Sequence, residues 1–428
     1  MHALMGSTGM QFVVNVKAIR RGIKAFALIA ALCFTRVVSA LAAPPSDIPI
    51  EEWLKGPERH DLPWQVAVEP GSLTFQQRHA VQVRTTYPVK KLMKAGISIS
   101  DIHVIARFAT EDGRLLPGQC YTQLQLPTDG PVPDTIDSFA SVYLRPGRYN
   151  FAVMAYDVEH RNGSLLKGSF EVRREKHDPL PDTDADLPLI DYPSPIPLIK
   201  GGETSVVHSW ALGRGHLRLP VANPHPIELD VVVNLTPSAF GLERLHDQVA
   251  IAFLMQISNV LTQLDLRQGC VRFSAIDILR QQTFALGVEG RAVDWDGLAA
   301  ALAKINPLTI DAGALAGQRA AAARFRDFLQ QATTAPDTCS ENGKSPQHVL
   351  IVLSDDFVFQ PETEKAIIDP RVLPPIQCYY LELGLISVVK DDMDKLLRPL
   401  HPERIAFVHP LQFRKALAQI ITSLEKSN

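Results

Sequence analysis

The sequence predicts an α/β protein: a doubly wound, mostly parallel sheet in the C-terminal half, preceded by an all-β sandwich. Three observations predict it. From Trp64 to Arg173, short alternating runs of apolar and polar residues follow one another between turn signals, with no helical period of any length. From Leu229 onward the period changes, and runs with apolar residues on both faces alternate with stretches spaced at three and four. Between these halves, residues 174–228 open with repeated Pro and Asp, a composition that sustains neither helix nor central strand and reads as a linker and edge segment, or as an irregular loop packed on a domain.

Composition bounds the class. The chain has 428 residues, 46% of them hydrophobic and 21% charged, enough to bury two or three cores. Lys and Arg total 43 against 46 Asp and Glu, so the basic excess that phosphate neutralisation asks for is missing, and no nucleic-acid partner is expected. No apolar stretch is long enough to span a bilayer, which needs about 18 residues or more.

Residues 1–43 read as a secretory leader. Arg20, Arg21 and Lys24 form a positive start, Ala25–Phe34 an apolar run, and Val38-Ser39-Ala40 or Ala40-Leu41-Ala42 a small-residue cleavage site. Export to the periplasm or beyond is the expectation. The leader carries basic but no acidic residues, so its removal leaves a mildly acidic chain. Cys120, Cys270, Cys339 and Cys378 remain. They allow three pairings among which sequence does not choose, and no Cys/His spacing suggests zinc.

In the predicted sandwich, Val81–Thr85 and His103–Phe108 alternate, and Asp112-Gly113 supplies a tight turn. Leu144–Tyr149 leads into the strand Asn150–Asp157, and Asn162-Gly163 turns the chain into Leu165–Val172. The turn Pro146-Gly147-Arg148-Tyr149 resembles those of bacterial immunoglobulin-like and fibronectin-like modules. In residues 229–428, Leu229–Val233 is a first buried strand. Leu242, Leu245, Val249, Phe253, Ile257, Val260 and Leu264 mark a helix. Cys270–Leu279 and Thr283–Gly287 form a hairpin, and Asp294–Lys304 and Ala314–Gln331 are helical. His348–Leu353, Ile376–Leu383 and Arg404–Val408 are further strands, and Leu411–Leu424 is a closing amphipathic helix.

The first buried strand ends Asn234-Leu235-Thr236-Pro237-Ser238, a loop offers Thr309, and the strand from His348 ends Leu353-Ser354-Asp355. With the element order, these residues resemble a divergent von Willebrand factor type A domain, whose first strand ends Asp-x-Ser-x-Ser. In that family, those oxygens, a loop Thr and a strand-end Asp hold a divalent cation that a partner carboxylate completes. The resemblance implies a metal set of Asn234, Thr236, Ser238, Thr309 and Asp355. Asn234 stands where the family has Asp, which removes a charged ligand that a hard cation wants. The expectation is therefore a degenerate site, with no cofactor or weakly bound Mg²⁺ or Mn²⁺. The same residues also suit an ordinary polar turn and helix cap.

No Gly-x-Ser-x-Gly elbow, phosphate-cradling loop or His-Glu-x-x-His helix occurs. The expected function is an exported, non-catalytic, adhesion-type protein that binds an as yet unknown protein partner, using the carboxyl rim of the sheet near 234–238, 309–313 and 355–359. The alternatives are an inert structural envelope module and a periplasmic hydrolase built on Asp355. Phe357-Val358-Phe359 reads either as a contact loop or as a cover for the sheet.

Overall fold

The computed structural model describes residues 48–126, 132–180, 187–192, 217–236, 244–304, 320–334, 345–355, 357, 368–384 and 392–426. The molecule is a mixed α/β protein in which sheets dominate, with antiparallel sheets first and a mostly parallel sheet second.

The first half opens with helix α1 (Ile50–Lys55) and strands β1 (Arg59–His60), β2 (Gln65–Leu73) and β3 (His79–Pro88). Helix α2 (Val89–Lys94) is followed by β4 (Ile102–Thr110), β5 (Cys120–Gln123), β6 (Thr135–Leu144), β7 (Gly147–Asp157), β8 (Asn162–Val172) and β9 (Ile190–Asp191). They form a five-stranded sheet ordered β1-β8-β7-β4-β5 and a four-stranded sheet ordered β2-β3-β6-β9. Period-two alternation sends Val81, Val83 and Tyr87 of β3 and Val142 and Leu144 of β6 into one core with Val104, Phe108 and Val153 of the other sheet. Trp53 of α1 packs edge-on against Tyr156, ring centroids 5.2 Å apart, and covers the outer face of the five-stranded sheet. At the turn expected from Pro146-Gly147, the buried Tyr149 hydroxyl donates to the Arg145 carbonyl at 2.8 Å.

One expected turn is displaced. Asn162 and Gly163 begin β8 instead of turning the chain, and a Cβ at Gly163 would sit 2.1 Å from the Ala155 carbonyl oxygen. The turn lies just before them, where Asp157 Oδ1 accepts the backbone N–H groups of Glu159 (3.1 Å) and His160 (3.2 Å) and Arg161 turns left-handed at φ 54°. The hairpin of the second half uses the same device. Asp277 Oδ1 accepts from the N–H of Leu279 (3.1 Å) and Arg280 (3.0 Å), and Gln281 has φ 56°. A buried aspartate holding two turn N–H groups offsets the cost of a non-glycine residue at positive φ, roughly 1–2 kcal/mol.

The second half contains β10 (Leu219–Val221), β11 (Ile227–Asn234), α3 (Arg244–Leu261), β12 (Leu264–Leu266), β13 (Gly269–Asp277) and β14 (Gln282–Glu289). It continues with α4 (Trp295–Ala303), α5 (Ala321–Thr333), β15 (Gln347–Asp355), β16 (Ile376–Leu383), α6 (Met393–Leu397), β17 (Glu403–Phe407) and α7 (Pro410–Lys426). Six strands lie in the order β14-β13-β11-β15-β16-β17, with β14 antiparallel to β13 and every other pairing parallel. Ile227, Leu229, Val231 and Val233 of β11 face one apolar cluster with α3, α4 and α7, whereas Val232 faces a second with α5 and α6. Helices therefore cover both faces, as a parallel sheet requires. The closing helix shows why: Phe413, Ala416, Leu417, Ile420 and Leu424 recur at three and four and are all buried. Each large side chain among them contributes about 1.5–3 kcal/mol.

The first buried strand starts at Ile227, two residues before the expected boundary, and the helix expected from Ala314 is described from Ala321. The segment expected to be a linker is not free where it is described: Leu180, Leu187, Leu217 and Leu219 are buried in the core of the second half. Cys270 is disulfide-bonded, its partner lying outside the described residues, whereas Cys120 and Cys378 are buried free thiols.

Candidate functional site

The parallel pairing of β11 with β15, from Ile227 opposite Gln347 to Val233 opposite Leu353, brings both carboxyl ends out at one rim. Asn234 and Asp355 therefore share that rim, as the sequence predicts. Ser238 and Thr309 lie outside the described residues.

The rim side chains are turned on one another. Asn234 Oδ1 accepts the Thr236 backbone N–H at 3.1 Å and the Thr236 hydroxyl at 2.5 Å. These two donors identify that atom as oxygen, so the Asn234 amide nitrogen is the one facing Ser354, donating to its Oγ at 3.0 Å. Ser354 Oγ in turn donates to the Asp355 carbonyl at 2.7 Å. Thr236 Oγ1 accepts from the Ile278 N–H at 2.7 Å, sewing the loop after β11 to the end of β13. Asn234, Thr236, Ser354 and Asp355 are all buried.

This geometry decides what the rim does chemically. A hard cation asks for several oxygens with free lone pairs, preferably charged. Here the first strand offers an amide whose oxygen is already used twice and whose NH₂ points across the rim. The hydroxyls of Thr236 and Ser354 are engaged in the same network. The described part of the expected metal set thus fits a polar turn better than a Mg²⁺ or Mn²⁺ cage. Among the described residues, no group of three or more His, Cys, Asp or Glu is arranged to hold a metal ion. Phe357, just beyond Asp355, is buried in the cluster beneath α5, so at this position the loop covers the sheet. Val358 and Phe359 lie outside the described residues.

A second polar cluster, not anticipated from sequence, lies towards the amino ends of the same strands. Arg272 on β13 donates through Nε and Nη2 to both carboxylate oxygens of Asp230, at 2.8 and 2.9 Å. Its Nη1 is 2.5 Å from Glu228 Oε1, and His348 Nδ1 is 3.0 Å from Glu228 Oε2. The register explains the meeting: Asp230 pairs with Arg272, and Glu228 with His348. Arg272, Glu228 and Asp230 are buried, and burial raises the Asp230 carboxyl above its ordinary range while Arg272 pulls it back down. The available signal was Glu228 and Asp230 at i and i+2 in an otherwise apolar strand, which places both carboxylates on one face. In open α/β sheets ligands sit at the carboxyl ends. This cluster lies at the other end, and its chemistry is that of a buried ion-pair network.

No family model and no curated protein matches the chain. Among solved structures it is similar to two structures of a glycosyl hydrolase family 2 member from Bacteroides cellulosilyticus. They share 9% identity with it at TM-scores of 0.19 and 0.18, over 81% and 78% of this chain. The chain spans 41% and 36% of their lengths. It is also similar to a family 123 glycoside hydrolase from Clostridium perfringens, at 8% identity and a TM-score of 0.20, covering 80% of this chain and 72% of that one.

Proposed function

We propose that the protein is an exported, non-catalytic protein-binding module whose second half is of the von Willebrand factor type A kind and works without a metal ion. Several observations support this reading. In order of sequence, the strands of the large sheet run third, second, first, fourth, fifth, sixth, with the antiparallel strand at the edge and helices on both faces. The first and fourth strands bring Asn234 and Asp355 to one rim, where that family keeps its adhesion site. The preceding half, with its Tyr149 hydroxyl bonded back to Arg145, supports an immunoglobulin-like sandwich. Export is supported by the leader-like residues 1–43 and by the disulfide at Cys270, a bond favoured in oxidising compartments. Among the described residues, no helix is long and apolar enough to cross a membrane.

The observation that carries the metal-independent reading is the Asn234 amide donated to Ser354. A cation at this rim would meet an N–H dipole where the family presents a carboxylate. The test is photo-crosslinking in the producing cell from Gln281 and Lys395, exposed residues flanking the rim. The expected result is a discrete protein adduct that forms equally in EDTA and in Mg²⁺. Adducts that require Mg²⁺, or turnover of a generic ester or glycoside lost in Asp355→Ala, would contradict it.

A further inference from the structure

A hairpin tip is ordinarily the most exposed part of a sheet. The tip joining β2 to β3 is not: Phe75, Gln76, Gln77 and Arg78 are all buried. The turn is closed by the Thr74 N–H donating to the Arg78 carbonyl at 2.8 Å and the Gln77 N–H donating to the Thr74 carbonyl at 2.9 Å. Phe75, 2% exposed, belongs to the apolar cluster of the second half. Its ring centroid lies 4.7 Å from that of Phe253 on α3, 6.1 Å from Phe407 at the end of β17 and 6.3 Å from Phe413 on α7. Beside it, Gln77 Nε2 donates to the carbonyl of Pro410, the first residue of α7, at 3.4 Å.

A second contact comes from a different part of the first half. Arg414, one turn further along α7, is 2.5 Å from Asp178, and the two side chains are 3% and 15% exposed. Leu180 and Leu187 enter the same apolar cluster.

We infer that the sandwich hairpin is an integral piece of the second half's core, so that the two halves fold, unfold and move as one body. Withdrawing Phe75 would open the aromatic pocket formed by Phe253, Phe407 and Phe413 to water, a loss of apolar burial on both sides of the contact. Separating Asp178 from Arg414 would leave a largely buried guanidinium without its carboxylate. The two contacts arise about a hundred residues apart in the chain, one from Phe75 and Gln77 and the other from Asp178, Leu180 and Leu187, so the second half is held at two separate places. The hairpin also occupies the corner formed by the end of β17 and the start of α7.

Calorimetry and native-state hydrogen exchange on the whole chain test this, comparing wild type with Phe75→Ala and Asp178→Asn. The expected result is one unfolding transition with equal calorimetric and van't Hoff enthalpies. Phe75→Ala should lower its midpoint by roughly 5 °C and speed exchange in α7 as well as in β3. Two separate transitions in the wild type, or faster exchange confined to β2 and β3, would overturn the inference. Should Phe75→Ala fail to fold, Asp178→Asn decides. Faster exchange in α7 and in β3 together supports a single body, and faster exchange in α7 alone overturns it.

Discussion

Asn234, the last residue of β11, donates its side-chain amide to the hydroxyl of Ser354, the penultimate residue of β15, across 3.0 Å. The two strands are the central parallel pair of the large sheet, so this bond closes the rim at its midpoint. Removing one partner of a buried hydrogen bond costs more than the bond itself contributes, because the other partner is left desolvated. Asn234→Ala strands Ser354 and both Thr236 donors. It is expected to lower stability by about 1–3 kcal/mol in urea titration.

Asn234→Asp changes the sign of the rim instead. It replaces an NH₂ donor by a second buried carboxylate close to Asp355. In EDTA this variant is expected to be less stable than wild type, with part of the loss recovered in millimolar Mn²⁺ or Mg²⁺. Thermal unfolding in both conditions measures it, and equal midpoints would show that the carboxylate alone does not restore a cage.

Arg272 balances two buried carboxylates, so Arg272→Met leaves Asp230 without its guanidinium and Glu228 with His348 in place of two basic neighbours. Burial raises the Asp230 carboxyl above its ordinary 3.8, and Arg272 and His348 oppose the rise. For a group with a raised folded-state pKa, the stabilising contribution is complete below the unfolded value and is lost as pH climbs through the folded one. Without Arg272 the carboxyl rises further. The variant's deficit is therefore expected to be small near pH 4 and to grow towards about 3–5 kcal/mol near pH 7. Urea titrations at the two pH values read the difference directly.

The thiols of Cys120 and Cys378 are buried, and burial pushes each up to about 12. Both are expected to resist alkylation at mildly alkaline pH in the folded chain and to react on denaturation, as mass spectrometry of labelled peptides would show. Reducing the disulfide at Cys270 should cost about 2–4 kcal/mol of stability.

The two hairpin aspartates are expected to behave alike despite lying in different halves. Asp157→Ala and Asp277→Ala each free two turn N–H groups and a nearby basic side chain, His160 in one and Arg280 in the other. Each should lower the denaturation midpoint by an amount equivalent to about 1–2 kcal/mol.

Much of the fold was legible because it rests on periodicity. The buried runs at 229–233, 348–353 and 376–383 are the central strands β11, β15 and β16, and the 3–4 spacing of 411–424 is α7. The meeting of Asn234 with the end of β15 was legible for the same reason, since parallel strands of similar length end together. The Asn162-Gly163 turn was misread because a dipeptide rule competes with tertiary context: Asp157 captures the turn first, and Gly163 is required for its lack of a Cβ beside Ala155. The Arg272 network was missed because a strand run read as apolar on both faces hides which residues share a face until its neighbours are known. Phe75 was missed because one aromatic residue among polar turn residues has no periodic signature, and its partners lie far along the sequence, at Phe253, Phe407 and Phe413.

Metal-independence of the rim is tested most directly by thermal unfolding of the wild-type chain in EDTA and in millimolar Mg²⁺, Mn²⁺ or Ca²⁺. With Asn234 Oδ1 already holding two donors and its NH₂ facing Ser354, the midpoint is expected to be the same in all four conditions. A rise of several degrees in any of these cations, abolished by Asp355→Ala, would contradict the account.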